Sequence, residues 1–168
     1  KSELLRRYVR PDMEVPDEAT ALAGALDIVA ETWADDAETR VWLSEQSKKH
    51  GRVCSQVKRG KKEEADKFEM YVDHNEAVAR VPSHRFLAMK RGEEEGILRI
   101  SLELDNDRVV GQMQSYFLAN PQFEFYSELQ KTVEDCYERL LKPATESTVF
   151  QWLKEKADEE AITVFGKN

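Results

Sequence analysis

Two clusters of cations have the type and spacing to do chemistry. Lys58, Arg59, Lys61 and Lys62 surround Gly60, and Arg85, Lys90 and Arg91 follow, with Arg80 and His84 beside them. Ammonium and guanidinium groups stay charged at neutral pH and meet phosphate oxygens, while a glycine lets the backbone approach a ligand. The clusters belong to a wider segregation. Residues 48–92 carry twelve Lys/Arg against six Asp/Glu, whereas the rest of the chain carries thirteen against twenty-seven. A chain of net charge -8 thus contains a +6 segment, and a local basic field attracts phosphate even on an acidic protein. The competing reading is a solvated face on which these cations pair with Glu63, Glu64, Asp66 and the run Glu93-Glu94-Glu95.

Other chemistries find little support. His50, His74, His84, Cys54 and Cys136 show no zinc-ligand spacing. Cys54 and Cys136 lie too far apart in sequence for a close metal pair and are too few for a disulfide framework, so they read as reduced structural thiols. Asp105-Asn106-Asp107 resembles the opening of a calcium loop but lacks its glycine and closing glutamate, and reads as a turn and helix cap. Ser55-Gln56-Val57-Lys58 matches a Ser-x-x-Lys nucleophile pattern without either companion motif. No phosphate loop, nucleophile elbow or dinucleotide fingerprint occurs. The expectation is a chain with no catalytic residues, no metal and no cofactor. Phe68, Tyr71 and Phe86 are the aromatics among the cations, and their helical spacing places them in a core instead of on a base-stacking platform.

Behind these clusters stand elements that must position them. The 168 residues, 40% apolar with fifteen aromatics, suffice for one buried core, so residues 1–168 read as a single domain. Scarce Gly and Pro beside abundant Ala, Glu, Lys, Leu and Arg favour helices. Pro16 and Asp17 precede a helix with Leu22, Leu26, Val29 and Trp33 on one face. A second helix runs from Asp35 and Asp36 to Lys48, Lys49 and His50, with Gly51 as a left-handed cap, and the two read as a helical hairpin. Arg52 to Lys58 could be a short strand or a helical turn, and Glu63 to Val72 reads as helix. Ser83 caps a short helix that stops at Gly92, with Phe86, Leu87 and Met89 available to the core. Ile97 to Leu104 alternates apolar with polar residues, as a half-buried strand does. Its partner lies near Val53 to Val57 or outside the chain. Helices follow at Asp107 to Leu118 and at Phe125 to Leu141, the latter with a stripe of Phe125, Leu129, Val133, Cys136 and Leu140. Pro143 sits in the first turn of a last helix carrying Val149, Leu153, Ala157, Ala161 and Val164 or Phe165. The fold class expected is mainly α, a multihelical domain with one short strand or a small β-hairpin. The apolar runs are too short to span a membrane. With no secretion signal, the chain reads as soluble and intracellular. It starts at Lys1 without Met and stops inside a helical pattern, as a fragment of a longer polypeptide would.

Several stretches resemble the Tex family of bacterial transcription accessory proteins. They are Val57-Lys58-Arg59-Gly60-Lys61, Val81-Pro82-Ser83-His84-Arg85-Phe86-Leu87-Ala88-Met89, and Arg91-Gly92-Glu93-Glu94-Glu95-Gly96-Ile97-Leu98-Arg99. The resemblance extends through Ala21 to Ala25, Asp27 to Glu31, Val133 to Leu141 and Lys154 to Ala161, nearly the whole chain. Two departures stand out: Arg59 intrudes where the family usually reads Val-Lys-Gly-Lys, and Asp73-His74-Asn75-Glu76 replaces Asp-Tyr-Ser-Glu. The resemblance implies a helical segment preceding a ribonuclease-H-like domain in a longer cytoplasmic protein, whose C-terminal OB-fold domain is the main nucleic-acid contact. It also implies RNA or DNA as partner through the full-length protein, with neighbouring domains and the transcription machinery as further partners and no membrane. The combined reading is a non-enzymatic scaffold in which Lys58, Arg59, Lys61, Lys62, Arg85, Lys90 and Arg91 make auxiliary phosphate contacts. The rival is a protein-interaction or architectural module, which an exposed apolar stripe on the last helix would favour.

Overall fold

The structure, a computed structural model, describes residues 2–10, 12 and 17–167. Pro16 lies outside them. Seven α-helices and a three-stranded sheet occur among the described residues, so the mainly helical class read from the sequence holds, with one strand more than a hairpin. The backbone forms two compact units: Lys1–Arg40 with Asn106–Pro143, and Val41–Asp105 with Ala144–Asn168.

The first unit is helical. After the short α1 (Ser2–Arg6), α2 (Glu18–Ala34) starts at Asp17, whose carboxylate accepts the Thr20 N–H at 2.7 Å. That hydrogen bond holds the Asp17 carboxyl below its ordinary range and satisfies an amide that the first turn leaves orphaned. Asp36 repeats the device for α3 (Ala37–His50), accepting both the amide and hydroxyl of Thr39. The α2 face that buries Ala21, Ala30 and Ala34 packs against α6 (Tyr126–Asp135) and the π-helical turn Cys136–Leu141. The alanines let those backbones approach, and the Cys136 thiol reaches the Ala30 carbonyl at 3.2 Å. The partner that buries this face of α2 is therefore α6 and its π turn, not the α3 of the expected hairpin. Between them in sequence, α5 (Asn106–Phe117) contributes Val109 and Met113 to the core.

The helix of residues 126–141 does not end before Pro143. It passes through the π turn, in which the Lys142 N–H bonds the Tyr137 carbonyl, into α7 (Lys142–Lys167). A proline inside an α-helix clashes with the carbonyl four residues earlier, and the extra residue of a π turn relieves that crowding. The same residue rotates the apolar stripe: Leu141 is buried where Leu140 was expected.

In the second unit β1 (Arg52–Val57) is the central strand, antiparallel to β2 (Asp73–Ala77) on one side and β3 (Leu98–Glu103) on the other. This identifies the partner of β3: Ile100 pairs Ser55 and Leu98 pairs Val57. Leu98, Ile100 and Leu102 point into a core shared with Val53, Phe86, Met89, Val149 and Leu153, while Arg99 and Glu103 face outward. The helix expected over 63–72 is present as 3-10 turns over Lys62–Tyr71, kinked at Phe68. Gly51 is not left-handed as expected; the positive φ values are at Gly60 and Gly96.

Two expectations for α4 (Ser83–Glu94) change. Its N-cap is Pro82, with no side-chain cap, and the helix runs through Gly92. It ends at Gly96, whose φ of 75° is a conformation that glycine adopts without steric cost. The Ile97 amide then bonds Gly92 O, and the Gly96 amide bonds Glu93 O, a Schellman closure. Gly92 serves packing, because a Cβ there would overlap the Leu98 side chain. Gly92→Ala is therefore expected to destabilise the protein by about 1–3 kcal/mol. Gly24→Ala, inside α2 where an added Cβ meets nothing within 4 Å, should stabilise it by roughly 0.5–1 kcal/mol. Urea unfolding of both variants checks the opposite signs, and equal shifts would contradict the packing role of Gly92.

Candidate nucleic-acid interface

The basic turn grows out of the end of β1. The strand ladder continues one step past Val57, where the Lys58 N–H bonds the Ile97 carbonyl at 2.8 Å. The chain then reverses, the Lys61 N–H returning to the Lys58 carbonyl at 3.0 Å. Gly60, third in this turn, has φ 81°, the left-handed value that a type II turn requires at that position. Lys58, Arg59 and Lys62 are exposed, and none of them has an ion-pair partner among the described residues. The same bond to Ile97 sets the α4–β3 connection beside the turn, with Glu93 and Glu94 ending α4 and Glu95 as its C-cap. The last turns of α4, carrying Lys90 and Arg91, reach this end of the sheet as well.

Six of the seven expected residues belong to this turn or to the last turns of α4, in two electrostatic states. Lys58, Arg59, Lys62 and Arg91 are free of acidic partners among the described residues. Lys61 lies 3.2 Å from Glu64, and Lys90 lies 2.7 Å from Glu93. The Lys61–Glu64 pair is exposed, and such i,i+3 pairs contribute only about 0–1 kcal/mol, so a phosphate could displace that carboxylate; the Lys90–Glu93 pair is partly buried and less readily parted. Arg85 is different. It sits in the first turn of α4, half-buried, 3.4 Å from Glu76 of β2, whose other oxygen meets His74 Nε2 at 3.1 Å. Glu76 pairs with Val53, about 17 Å back along β1 from Lys58 at the usual strand rise. The guanidinium is committed to joining α4 to β2, and it lies away from the turn. Sequence reasoning passed over Arg99, which is exposed and pairs across the ladder with Gln56; period-two alternation in β3 was its available signal.

The charge segregation has a structural counterpart. The first unit carries nine Lys/Arg against sixteen Asp/Glu, whereas the second carries sixteen against seventeen. A groove of about 430 Å³ in the first unit has Asp107, Glu134 and Glu138 in its wall, a lining that repels phosphate.

Other candidate groups are occupied by structure. The Ser55 hydroxyl is buried and donates to the Tyr71 carbonyl at 2.7 Å, which removes it as a nucleophile. Among the described residues no three His, Cys, Asp or Glu side chains gather as a metal site would require, and no helix is long and apolar enough to cross a membrane. Asn106 opens α5 and accepts the buried Tyr137 hydroxyl at 2.7 Å. Cys54 and Cys136 are free, buried thiols, and burial pushes them up to about 12 and about 11.

A mainly helical chain with a small antiparallel sheet and an exposed cationic turn at its end is the class of protein these features define. Residues 2–165 match the family model described as Tex central region-like. The chain is 36% identical over 163 residues to the uncharacterized protein YdcI of Bacillus subtilis, covering 96% of this chain and 23% of that protein. It is 35% identical over 159 residues to the transcriptional accessory protein Tex of Neisseria gonorrhoeae, covering 92% and 21%. It is 25% identical over 179 residues to human S1 RNA-binding domain-containing protein 1, covering 98% and 18%. The chain belongs to the Tex family, and it spans about a fifth of the length of these relatives.

The raised thiols carry a pH prediction. Each folded thiol holds its proton to a higher pH than the unfolded one, near 9.0. Their contribution to stability is therefore complete below pH 9 and is lost as pH rises toward 11–12. Alkylation by iodoacetamide at pH 8.5 should be slow in the native protein and fast in urea. Rapid native labelling would contradict the buried, protonated state.

Proposed function

We propose that this chain is a non-catalytic helical scaffold segment within a nucleic-acid-binding transcription accessory protein, and that its basic turn adds auxiliary phosphate contacts. The observation that carries the reading is the group of exposed cations at the end of β1, of which Lys58, Arg59 and Lys62 lack acidic partners among the described residues. Cations left unpaired on a protein with excess acid are available to phosphate. The names of the gonococcal and human relatives, a transcriptional accessory protein and an S1 RNA-binding domain-containing protein, agree with it. In this reading the cytoplasm is the working compartment, and neighbouring domains and the transcription machinery are further partners. Reversing Lys58, Arg59, Lys61 and Lys62 to Glu should weaken RNA or DNA binding at least tenfold and flatten its salt dependence, measured by fluorescence anisotropy. Unchanged affinity with an unchanged salt slope would overturn it.

A second reading, an architectural module, is favoured by α7. Its buried face of Val149, Leu153 and Ala157 continues at helical spacing into Ala161, Val164 and Phe165, yet Ile162, Val164 and Phe165 are 71%, 60% and 81% exposed. Three large apolar side chains so close together suit burial against another surface. In this reading a neighbouring domain of the longer polypeptide covers them. Amides of residues 158–166 should then exchange more slowly in a relative-length protein than in this chain alone, and equal protection would remove the reading.

A further inference from the structure

We propose that the turn at the end of β1 reads the phosphodiester backbone alone, without stacking on bases or reading their edges, and so accepts single strands and duplexes of either nucleic acid. The inference rests on the function proposed above and names the ligand chemistry of that site.

Single-strand binders combine a cationic track with exposed aromatic faces on which bases stack. The aromatics that the sequence intersperses among these cations are withdrawn from that task. Phe68, Tyr71 and Phe86 are 5%, 8% and 0% exposed, packed in the core with Val53, Met89 and Leu98. Edge readers use Asn or Gln for adenine and Arg or Lys for guanine, and in every case they fix register with a helix or ribbon seated in a groove. Residues 57–72 and 85–99 contain neither Asn nor Gln, and the segment presented to solvent is a tight turn with a glycine in it. What the turn offers is charge without shape: ammonium groups at Lys58 and Lys62, a guanidinium at Arg59, and Arg91 from the end of α4, with Lys61 recruitable from its exposed pair with Glu64. Long flexible lysine stems meet phosphates at varied spacing, so the geometry does not distinguish A-form from B-form or paired from unpaired strands.

The test titrates this chain with fluorescein-labelled single-stranded oligouridine and duplex DNA over a salt series, and with inorganic polyphosphate of similar phosphate number as competitor. The expected result is affinities within about threefold of one another per phosphate, full displacement by polyphosphate, and salt slopes of about −3 to −4, as four cations predict. The combined variant Lys58→Gln, Arg59→Gln, Lys62→Gln and Arg91→Gln alters exposed side chains and should remove both the affinity and the slope while leaving the circular dichroism unchanged. A tenfold or greater preference for oligouridine over duplex and polyphosphate, or a change in 2-aminopurine fluorescence when a labelled strand binds, would overturn the inference while leaving the proposed function standing. Absence of binding to all three at low salt would overturn both.

Discussion

The second unit depends on β1 being hydrogen-bonded along both edges. A strand so placed has its backbone groups satisfied by two antiparallel neighbours, and its side chains Val53 and Ser55 face a core built from β3, α4 and α7. Neither outer edge of the three-stranded sheet is left bare. On the β2 edge the Arg52 guanidinium reaches the Asn75 carbonyl, and on the β3 edge Glu146 of α7 accepts the Leu102 amide at 3.0 Å. Charged side chains that occupy edge groups discourage further strand addition. The functional consequence appears where the central strand stops. The last bond of the ladder, Lys58 to Ile97, fixes the exit of the chain, and the cationic turn is presented from that anchored point.

Legibility in the sequence followed periodicity. The helices α2, α3 and α5 and the strand β3 lie within a few residues of their expected bounds because each has one buried and one solvated face. β1 was ambiguous because Val53, Cys54 and Ser55 are all buried, so a strand covered on both faces loses its alternation. β2 was invisible. Asp-His-Asn-Glu-Ala contains no β-branched or aromatic residue, and its extended form is imposed from outside by Val72 and Val78, whose backbones bond Val57 and Gly51. Here tertiary pairing overrode propensity. The stripe on residues 126–141 slipped by one residue because a π turn changes the period locally, a feature that a count by threes and fours does not contain. Gly92 was read as a stop because glycine in a helix serves either role, and only the position of Leu98 distinguishes them.

The candidate site divides in the same way. Which residues carry charge is written in the sequence, as are the i,i+3 neighbours Glu64 of Lys61 and Glu93 of Lys90. The commitment of Arg85 to Glu76 could not be read, because it depends on β2, an element without a sequence signal. The two classes of cation differ in what a ligand must overcome. Displacing Glu64 from Lys61 costs a fraction of a kcal/mol on an open surface. Displacing Glu76 from Arg85 would leave a partly buried carboxylate next to His74 with its guanidinium gone, a far larger penalty. Equal formal charge therefore hides unequal availability: Lys61 pairs with an exposed carboxylate, whereas Arg85 pairs with one held against β1.

Net charge is for the same reason a poor guide to what this surface attracts. At physiological ionic strength the Debye length is about 8 Å, so within this unit the acids that bear most on a phosphate at the turn are the nearest ones, chiefly Glu63 and Glu64 beside Lys62 and Glu93, Glu94 and Glu95 at the end of α4. Two of these acids are already engaged, Glu64 with Lys61 and Glu93 with Lys90, so Lys58, Arg59 and Lys62 set the local field against the rest. The acidic end of α4 beside the turn would then weaken the proposed phosphate contact without excluding it. Each bound phosphate must compete with carboxylates held at the same end of the sheet by the backbone bond that holds the turn. A contact of the proposed kind would be weak, salt-sensitive and easily reversed, because it rests on exposed cations with carboxylates close by.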